Sequence, residues 1–553
     1  MVNNIQEVDK SFPYLRKVGK AKQLIVDGKP FVILGGEVHN SSSSSLAYME
    51  PIWSRLVSLG LNTVLLPISW ELIEPEEGKF DFHLVDGLID GARKHNLKIV
   101  FLWFGTWKNA VSSYVPTWVK TDFERFPRAQ DSMGRKLDAI SCFSKNALEA
   151  DSRAFSSLMK HMREVDEKNH TVIMMQVENE VGLLGSPRDH HPVAEEYFTQ
   201  HVPEELIEHL QANEKTLNPY LRYIWKMLGQ KTSGTWREMF GASADEIFMA
   251  WNFARFVDSV TAAGKAEYPI PMYVNAWLGP SAYQYEEGEP GDYPSGGPVA
   301  RMLDIWRAAA PHIDIISPDI YREDFCSVCY EYARLDNPLF IPETVHNERS
   351  AAYVFYAIGQ HNAIGFSPFA IDDITEPEKH PLSGSYKLLS GMMPIITKYQ
   401  GTNRMVGFAD DGSYGYRHTA SLWREISARV RGFSCELGDY QLQISFTREL
   451  AERVRAFWPG FPYESKVPAA GLIIAVENDK YIVAGISFLL KFLPKDNFSS
   501  NVEILWVDEG SFRDGEWVLG RRLNGDETGH GSWVYFDDKP KVRIIKVHSH
   551  TST

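Results

Sequence analysis

The sequence has little cysteine, no excess of positive charge and no long apolar run. Its 553 residues include 4 cysteines (Cys142, Cys326, Cys329 and Cys435), too few for a disulfide framework in so long a chain. The formal net charge is −15, whereas nucleic acids and anionic membranes both require a basic patch. No apolar stretch of about 18 residues exists, so the sequence predicts no membrane-spanning helix. We therefore expect neither a nucleic-acid nor a membrane partner.

Other absences concern targeting and cofactors. Residues 1–20 lack the positive start and apolar segment of a signal peptide, which favours a cytoplasmic protein, although removal of a leader would leave the same sequence. CSVC at 326–329 has CxxC spacing but no second pair, so we expect no metal or redox centre. The stretch GGEVHN at 35–40 lacks the GxGxxG spacing of a dinucleotide site. The sequence thus predicts no cofactor.

Eight apolar, β-rich runs are present, and helical patterns lie between most of them. Each run is continuous rather than alternating, as in strands buried on both faces of a parallel sheet. Repeated alternation of strand and helix predicts a (β/α)8 barrel. The eight runs are 31–37, 62–70, 98–105, 171–180, 271–277, 313–321, 338–344 and 363–370. The helical patterns are 46–60, 82–96, 153–169, 246–268 and 299–312.

Two long segments interrupt the alternation. Residues 106–150 follow the third run and residues 181–245 follow the fourth, so both leave the strand ends where barrel enzymes build their sites. Their Trp and Tyr content argues against disorder. The five serines at 41–45 follow the first run directly and are predicted to lie in a loop facing the site.

The pattern changes near residue 400. VGFADDGSYG at 406–415 has turn chemistry, and the short alternating segments that follow are separated by Gly, Asn and Asp. This is typical of an antiparallel β-sandwich. The sequence therefore predicts two domains, a catalytic barrel over residues 1–400 and a β-sandwich over residues 401–553.

Glu180 and Glu343 are the main catalytic candidates, because each ends an apolar run expected to be a buried strand. Two carboxyl groups at strand ends suit the acid and the nucleophile of a retaining glycosidase. Structural alternatives exist: a salt bridge for Glu180 and a helix N-terminal carboxylate for Glu343. Glu178 is expected to point the same way as Glu180, so strand periodicity alone does not separate them. Glu348 is the nearby alternative to Glu343.

The motifs around these residues resemble glycoside hydrolase family 35, the β-galactosidase family of clan A, in a branch whose barrel is followed by a β-sandwich. The resemblance implies that Glu180 is the acid/base, that Glu343 is the nucleophile and that Asn179 donates to the sugar 2-hydroxyl. It also implies that Tyr321 steadies the nucleophile. Val181 and KNHTV at 168–172 depart from the better-known members. The stretches that carry the resemblance are GGEVHNSSSSS (35–45), WELIEPEEGKFDF (70–82), LWFGTWKN (102–109), SSYVPTWVKTDFERFPRA (112–129), QVENEVG (176–182) and IPET (341–344).

Polar and aromatic residues at the other strand ends form a rim suited to a pyranose, with Trp for the ring face and Asn, Lys and Glu for hydroxyls. Each has an alternative role in the core or in support of the site. The principal predicted substrate contacts are Asn179, Tyr321, Glu37, Trp103, Trp107, Lys108, Asn109 and Trp277. Weaker candidates are His39, Asn40, Trp70, Glu71, Asn275 and Asp319.

The sequence thus predicts a retaining exo-β-galactosidase that acts on β-galactoside oligosaccharides or polysaccharide side chains. A β-glucosidase or transglycosylase with the same catalytic pair remains open, since the choice of sugar depends on loop hydrogen bonds. A non-catalytic carbohydrate-binding protein is the alternative from another class. A homo-oligomer is compatible with the sequence.

Overall fold

The computed structural model describes residues 12–280, 288–412, 432–446, 467–495 and 500–551. It begins with three antiparallel strands: β1 (Tyr14–Val18), β2 (Ala21–Val26) and β3 (Lys29–Phe31). Leu24 and Val26 of β2 belong to the same buried cluster as Ile33, which follows in the chain. This small sheet is therefore packed against the larger structure that comes next.

Each of the eight predicted runs contains a strand, and the seventh is divided into two at Pro342. Six of these strands form one curled parallel sheet in the order β13-β11-β10-β9-β6-β5, and three form a parallel sheet in the order β12-β14-β4. A short antiparallel pair, β7 and β8, lies in the segment after β6. In chain order the strands are β4 (Ile33–Leu34), β5 (Thr63–Ser69), β6 (Lys98–Lys108), β7 (Arg128–Gln130), β8 (Lys136–Ile140), β9 (Val172–Asn179), β10 (Met272–Trp277), β11 (Ile315–Ile320), β12 (Phe340–Ile341), β13 (Glu343–Thr344) and β14 (Gly365–Phe366).

The residues around β4 form backbone hydrogen bonds with the chain on both sides. The amides of Ile33 and Gly35 donate to Ile364 and Phe366 at 2.9 Å each, and the amide of Leu65 in β5 donates to Gly36 at 2.9 Å. Inward-facing side chains from both sheets share one buried cluster, which includes Ile33, Leu65, Val100, Leu102, Met174, Tyr273, Ile315, Phe340 and Ile364. Side chains of the two parallel sheets therefore pack together in one buried cluster.

All five predicted helical patterns contain a helix, so the chain to about residue 400 has a mixed α/β fold. The longest pair packs closely: a Cβ added at Gly264 in α10 would lie 2.2 Å from the Phe155 ring in α5, which explains a glycine there. The helices are α1 (Leu46–Leu59), α2 (Trp70–Ile73), α3 (His83–Lys94), α4 (Thr117–Lys120), α5 (Lys145–Asp166), α6 (Pro192–Phe198), α7 (Glu204–Ala212), α8 (Pro219–Met227), α9 (Trp236–Phe240), α10 (Ala244–Glu267), α11 (Leu303–Ala309), α12 (Phe325–Tyr332), α13 (Ser350–His361) and α14 (Pro381–Tyr399). Among the described residues, no helix has the length and apolar character needed to cross a bilayer.

Two antiparallel sheets follow, in the orders β15-β18-β19-β24-β21-β22 and β16-β17-β20-β23. Side chains from both sheets, among them Phe408, Leu442 and Val483, meet in one buried cluster. The predicted turn at 406–415 is wrong at its start, because residues 405–409 pair with residues 470–474 as a strand; residues 413–415 lie outside the described residues. The strands are β15 (Met405–Ala409), β16 (Gly432–Leu437), β17 (Tyr440–Phe446), β18 (Ala470–Ala475), β19 (Lys480–Ile486), β20 (Phe488–Pro494), β21 (Ser500–Arg513), β22 (Glu516–Leu523), β23 (Val534–Phe536) and β24 (Lys541–Thr551).

Candidate active site

Glu180 lies one residue beyond β9 and is 7% exposed. Its φ of +45° places it in the left-handed region, where a residue without a glycine's freedom is strained. The backbone amide of Glu180 donates to Oδ1 of Asn275 in β10 at 3.0 Å. This bond fixes the position of Glu180 relative to the neighbouring strand.

Glu343 opens β13 and is 4% exposed. Its Oε2 accepts a hydrogen bond from the Tyr321 hydroxyl at 2.8 Å. Its Oε1 accepts from Nδ2 of Asn275 at 3.3 Å and from Nδ2 of Asn179 at 3.5 Å. Donors from three different strand ends therefore hold this carboxylate in one orientation.

The two glutamates lie close together, Glu180 directly after β9 and Glu343 in the two-residue strand β13. One carboxylate oxygen each of Glu180, Asp319 and Glu343 lies within 4.8 Å of the other two. Asp319 pairs with Glu343 across β11 and β13, and its Oδ2 accepts from Nδ2 of Asn275 at 2.7 Å. The structure thus brings together two carboxyl groups predicted from the sequence and a third that was a weaker candidate.

Burial and mutual repulsion alter the acidity of these groups. Burial, and then the charge of Glu343, raises the pKa of Glu180 to about 7, while the Lys108 ammonium partly opposes the rise. Burial, and then the charges of Glu343 and Glu180, raises the pKa of Asp319 well above its ordinary value. A carboxyl group with a pKa near neutrality can carry a proton to a leaving group.

Glu178 lies in a different environment from Glu180. Its Oε2 accepts from the amide of Trp107 at 2.7 Å and its Oε1 from the amide of Thr106 at 3.2 Å. Burial, and then the charge of Asp151 in α5, raises its pKa well above the ordinary value. The expectation that Glu178 and Glu180 point the same way is wrong, because Glu178 has a φ of +61° that breaks the strand alternation. Glu178 is therefore a buried carboxyl group that backbone amides of β6 hold in place.

Asp151 completes this support. The side chain has no exposed surface; its Oδ1 accepts from the Trp103 indole at 2.8 Å, and its Oδ2 accepts from the Thr106 amide at 2.9 Å and the Thr106 hydroxyl at 2.5 Å. A Cβ added at Gly105 would lie under 3 Å from both Asp151 and Glu178, so the packing requires a glycine.

Replacing Asp151 with alanine is expected to lower the free energy of unfolding by about 3 kcal/mol, because it leaves two buried donors, the Trp103 indole and the Thr106 hydroxyl, without their acceptor. Urea denaturation followed by tryptophan fluorescence measures the change. A loss below about 1 kcal/mol would contradict this role for Asp151.

The predicted aromatic contacts divide into two groups. Trp103 and Trp107 have no exposed surface, and the Trp107 indole donates to the carbonyl of Ile140 at 3.1 Å. Both rings are therefore packed in the wall and present no face to solvent. Trp277 ends β10 with 40% exposure, and Tyr321 follows β11 with 47% exposure. These two side chains are accessible to solvent.

Lys108, Asn109 and Glu37 lie at two further strand ends. Lys108 is 5% exposed, and its Nζ donates to Oδ1 of Asn179 at 2.9 Å, which directs the Asn179 amide nitrogen toward Glu343. Asn109 has a φ of +53° and follows Lys108 at the end of β6. Glu37 has no exposed surface and pairs with Leu65 of β5.

The loop after β4 is tied to the loop after β14. Asp372 accepts from the His39 amide at 3.0 Å and from the Ser42 hydroxyl at 2.6 Å. The serine run thus contributes hydrogen bonds that order the loop, and Ser45 caps α1. Sequence reasoning did not identify Asp372 or Asp151, and a single sequence offers no signal for the partners of a distant loop or helix.

Comparison with known proteins gives two matches to family models. The model described as glycosyl hydrolases family 35 matches residues 23–220, a range that contains Glu180 but not Glu343. The model described as a domain of unknown function (DUF5597) matches residues 382–535. A β-galactosidase from Xanthomonas manihotis is 40% identical over 60 residues, which is 11% of this chain and 10% of the length of that relative.

Solved structures that superpose on part of this chain include a cold-adapted β-galactosidase from Rahnella sp. R3, with a TM-score of 0.45 and 15% identity. The alignment covers 66% of this chain and 57% of that one. The catalytic domain of a β-amylase from Paenibacillus polymyxa has a TM-score of 0.45 and 10% identity, covering 64% of this chain and 97% of that one. The match to the family 35 model over residues 23–220 confirms the resemblance of this chain to glycoside hydrolase family 35 that its motifs indicated.

Proposed function

We propose that this protein is a retaining exo-β-galactosidase that removes terminal, non-reducing β-D-galactosyl residues from oligosaccharides or polysaccharide side chains. The observation that carries the proposal is the pair of buried carboxyl groups, Glu180 and Glu343, with oxygens within 4.8 Å of one another. Retaining glycosidases hold their two carboxyl groups about 5 Å apart, whereas inverting enzymes leave room for a water molecule between them. The family match over residues 23–220 supports the same chemistry.

The two glutamates have separate tasks in this mechanism. Glu343 attacks the anomeric carbon, and Glu180 gives its proton to the departing glycosidic oxygen. The galactosyl unit is then bound to Glu343 as an ester, and the ionised Glu180 removes a proton from the water that hydrolyses it. The hydrogen bond from the Tyr321 hydroxyl orients Glu343, and the Asn179 amide is placed to donate to the sugar 2-hydroxyl.

We further propose that the parallel strands close into one eight-stranded barrel within residues 1–400, followed by a β-sandwich over residues 401–553. The hydrogen bonds of Gly36 and Val38 with Leu65, and of Ile33 with Ile364, support closure on both sides of the first strand. Closure would place every strand end named above on one face, where barrel enzymes carry their active sites.

The choice of galactose draws support from the relative of 40% identity over 60 residues that is named a β-galactosidase. A panel of 4-nitrophenyl glycosides tests it, and we expect the β-galactoside to be hydrolysed with the highest kcat/KM. Proton NMR of the first product should show β-galactose before mutarotation. A higher kcat/KM for the β-glucoside would show that the preferred sugar is glucose rather than galactose. Release of α-galactose would exclude a retaining mechanism.

The proposed acid makes the reaction dependent on pH. Glu180 must be protonated to act, and its pKa is about 7, so kcat/KM for phenyl β-galactoside is expected to fall as pH rises through about 7. In Lys108→Met the charge that lowers this pKa is lost, so the alkaline limb should move to higher pH. The pH dependence of kcat/KM for both proteins measures the shift. A limb that stays in place or moves to lower pH would argue against Glu180 as the acid.

A further inference from the structure

Glu37 is a buried carboxyl group without a structural partner. It has no exposed surface, and neither of its oxygens has a hydrogen-bond partner among the described residues. Leaving a buried carboxyl group unpaired is costly, so native structures retain such groups where a ligand or a reaction uses them. Glu74 provides the contrast: it is equally buried, but its oxygens accept from the Trp70 indole at 2.8 Å, the Gly78 amide at 2.7 Å and Arg153 at 3.2 Å.

The backbone directs Glu37 into the site. The amides of Ile33, Gly35 and Glu37 all donate to the chain around β14, so residues 33 to 37 are extended and their side chains alternate. Ile33 belongs to the interior cluster, and Glu37, four residues later, faces the same interior from the C-terminal end. The charged groups that act on it come from three other strands, β13, β9 and β6. Burial raises the pKa of Glu37 most, and the charge of Glu343 is the next largest cause. The charge of Glu180 raises the pKa further, whereas the Lys108 ammonium lowers it.

We infer that Glu37 binds two adjacent hydroxyl groups of the non-reducing sugar, and that the substrate class is therefore restricted to pyranosides with both of these hydroxyls unsubstituted. The inference rests on the proposed function, because it assigns a role within the same site. Hydroxyl donors of a bound sugar favour the ionised form of Glu37, and a carboxylate has two acceptor oxygens, so it suits two neighbouring donors. An O-alkyl or O-acyl group at either position would remove a donor and leave the buried carboxylate unpaired.

A fluorine scan tests the contact. Galactosides with fluorine in place of the 3-, 4- or 6-hydroxyl keep an acceptor and lose the donor, and kcat/KM is compared between the wild type and Glu37→Gln. The electronic effect of fluorine on the transition state is common to both proteins and cancels in the ratio. At two adjacent positions we expect the penalty to be at least about 10-fold smaller in Glu37→Gln. Equal penalties at every position in both proteins would overturn the inference.

The stability of the free protein supplies a readout that needs no turnover. The pKa of Glu37 is raised in the folded state, so the unfolded chain gives up this proton at a lower pH than the folded protein does. The free energy of unfolding therefore falls as the pH rises above the ordinary glutamate pKa of about 4.3. Glu37→Gln should therefore raise Tm by about 1–2 °C at pH 7.5 and lose this gain as the pH falls toward 4.3. The control Glu74→Gln should lower Tm at pH 7.5. A loss of Tm in Glu37→Gln like that of the control would show that protein groups hold Glu37 and would overturn the inference.

Sugar binding separates this inference from the proposed function. Free galactose should raise the Tm of the wild type more than that of Glu37→Gln, whether or not the protein hydrolyses galactosides. A wild type that hydrolyses no glycoside but shows this difference would refute the proposed function and support the role of Glu37. Equal galactose-induced shifts in the two proteins would overturn the role of Glu37, even in an active enzyme.

Discussion

Replacing Glu343 with glycine is expected to lower kcat/KM for 4-nitrophenyl β-galactoside by about 10⁴-fold or more, since the attacking group itself is removed. Glu343 is held by donors from Tyr321, Asn275 and Asn179, so the space left by its carboxylate stays lined by these groups. Azide can enter that space from the face that Glu343 occupied. With an activated aryl galactoside, azide should restore turnover and give α-galactosyl azide.

The control for this variant is Glu348→Gln, which changes the nearby glutamate on the loop after β13. Glu348 lies five residues beyond Glu343 and outside the group of close carboxyl oxygens. The kcat/KM of the Glu348→Gln variant should therefore stay within about 2-fold of the wild type. Near-wild-type turnover in Glu343→Gly, or a large loss in Glu348→Gln, would exclude Glu343 as the nucleophile.

The second large effect concerns Glu180. In Glu180→Ala, kcat/KM for lactose or phenyl β-galactoside is expected to fall by about 10²–10⁴-fold, because these leaving groups need a proton. A 2,4-dinitrophenyl leaving group needs little help, so the first step on that substrate should survive and a burst of phenolate should precede slow hydrolysis. Stopped-flow absorbance measures the burst.

Azide distinguishes the two glutamates by the product that it gives. In Glu180→Ala the galactosyl unit is still held by Glu343 on the α face, so azide attacks from the β face and should give β-galactosyl azide. The α product from Glu180→Ala would reverse the assignments of the two residues. Equal loss on all leaving groups, without a burst, would argue for a structural role.

Most of the parallel fold could be predicted from the sequence, because strands buried on both faces leave continuous apolar runs. The strand at residues 405–409 could not, since its glycine and the aspartates that follow it have the chemistry of a turn. Its pairing with residues 470–474 depends on contacts distant in the chain. The full set of eight parallel runs was recognised because each is short, continuous and separated from the next by a helix or a loop.

The site was predictable to a lesser degree. Strand position identified Glu180 and Glu343 as candidates, but periodicity could not separate Glu180 from Glu178, because it places residues two apart on the same face. The positive φ of both residues, which breaks this alternation, is not visible in the sequence. Trp103 and Trp107 have the residue type of a sugar platform, yet their burial assigns them to the wall. The identity of the partners, such as Asp151 for Trp103, depends on packing between α5 and β6 that no local pattern records.

The most direct measurement of the catalytic assignment is covalent trapping. A 2-deoxy-2-fluoro-β-galactosyl fluoride reacts with the nucleophile of a retaining enzyme and then hydrolyses slowly, because the fluorine destabilises both transition states. Mass spectrometry of the intact protein and of its peptides should show one 2-fluorogalactosyl group, attached to Glu343. A label on another residue, or turnover of the reagent with no covalent adduct, would contradict the account.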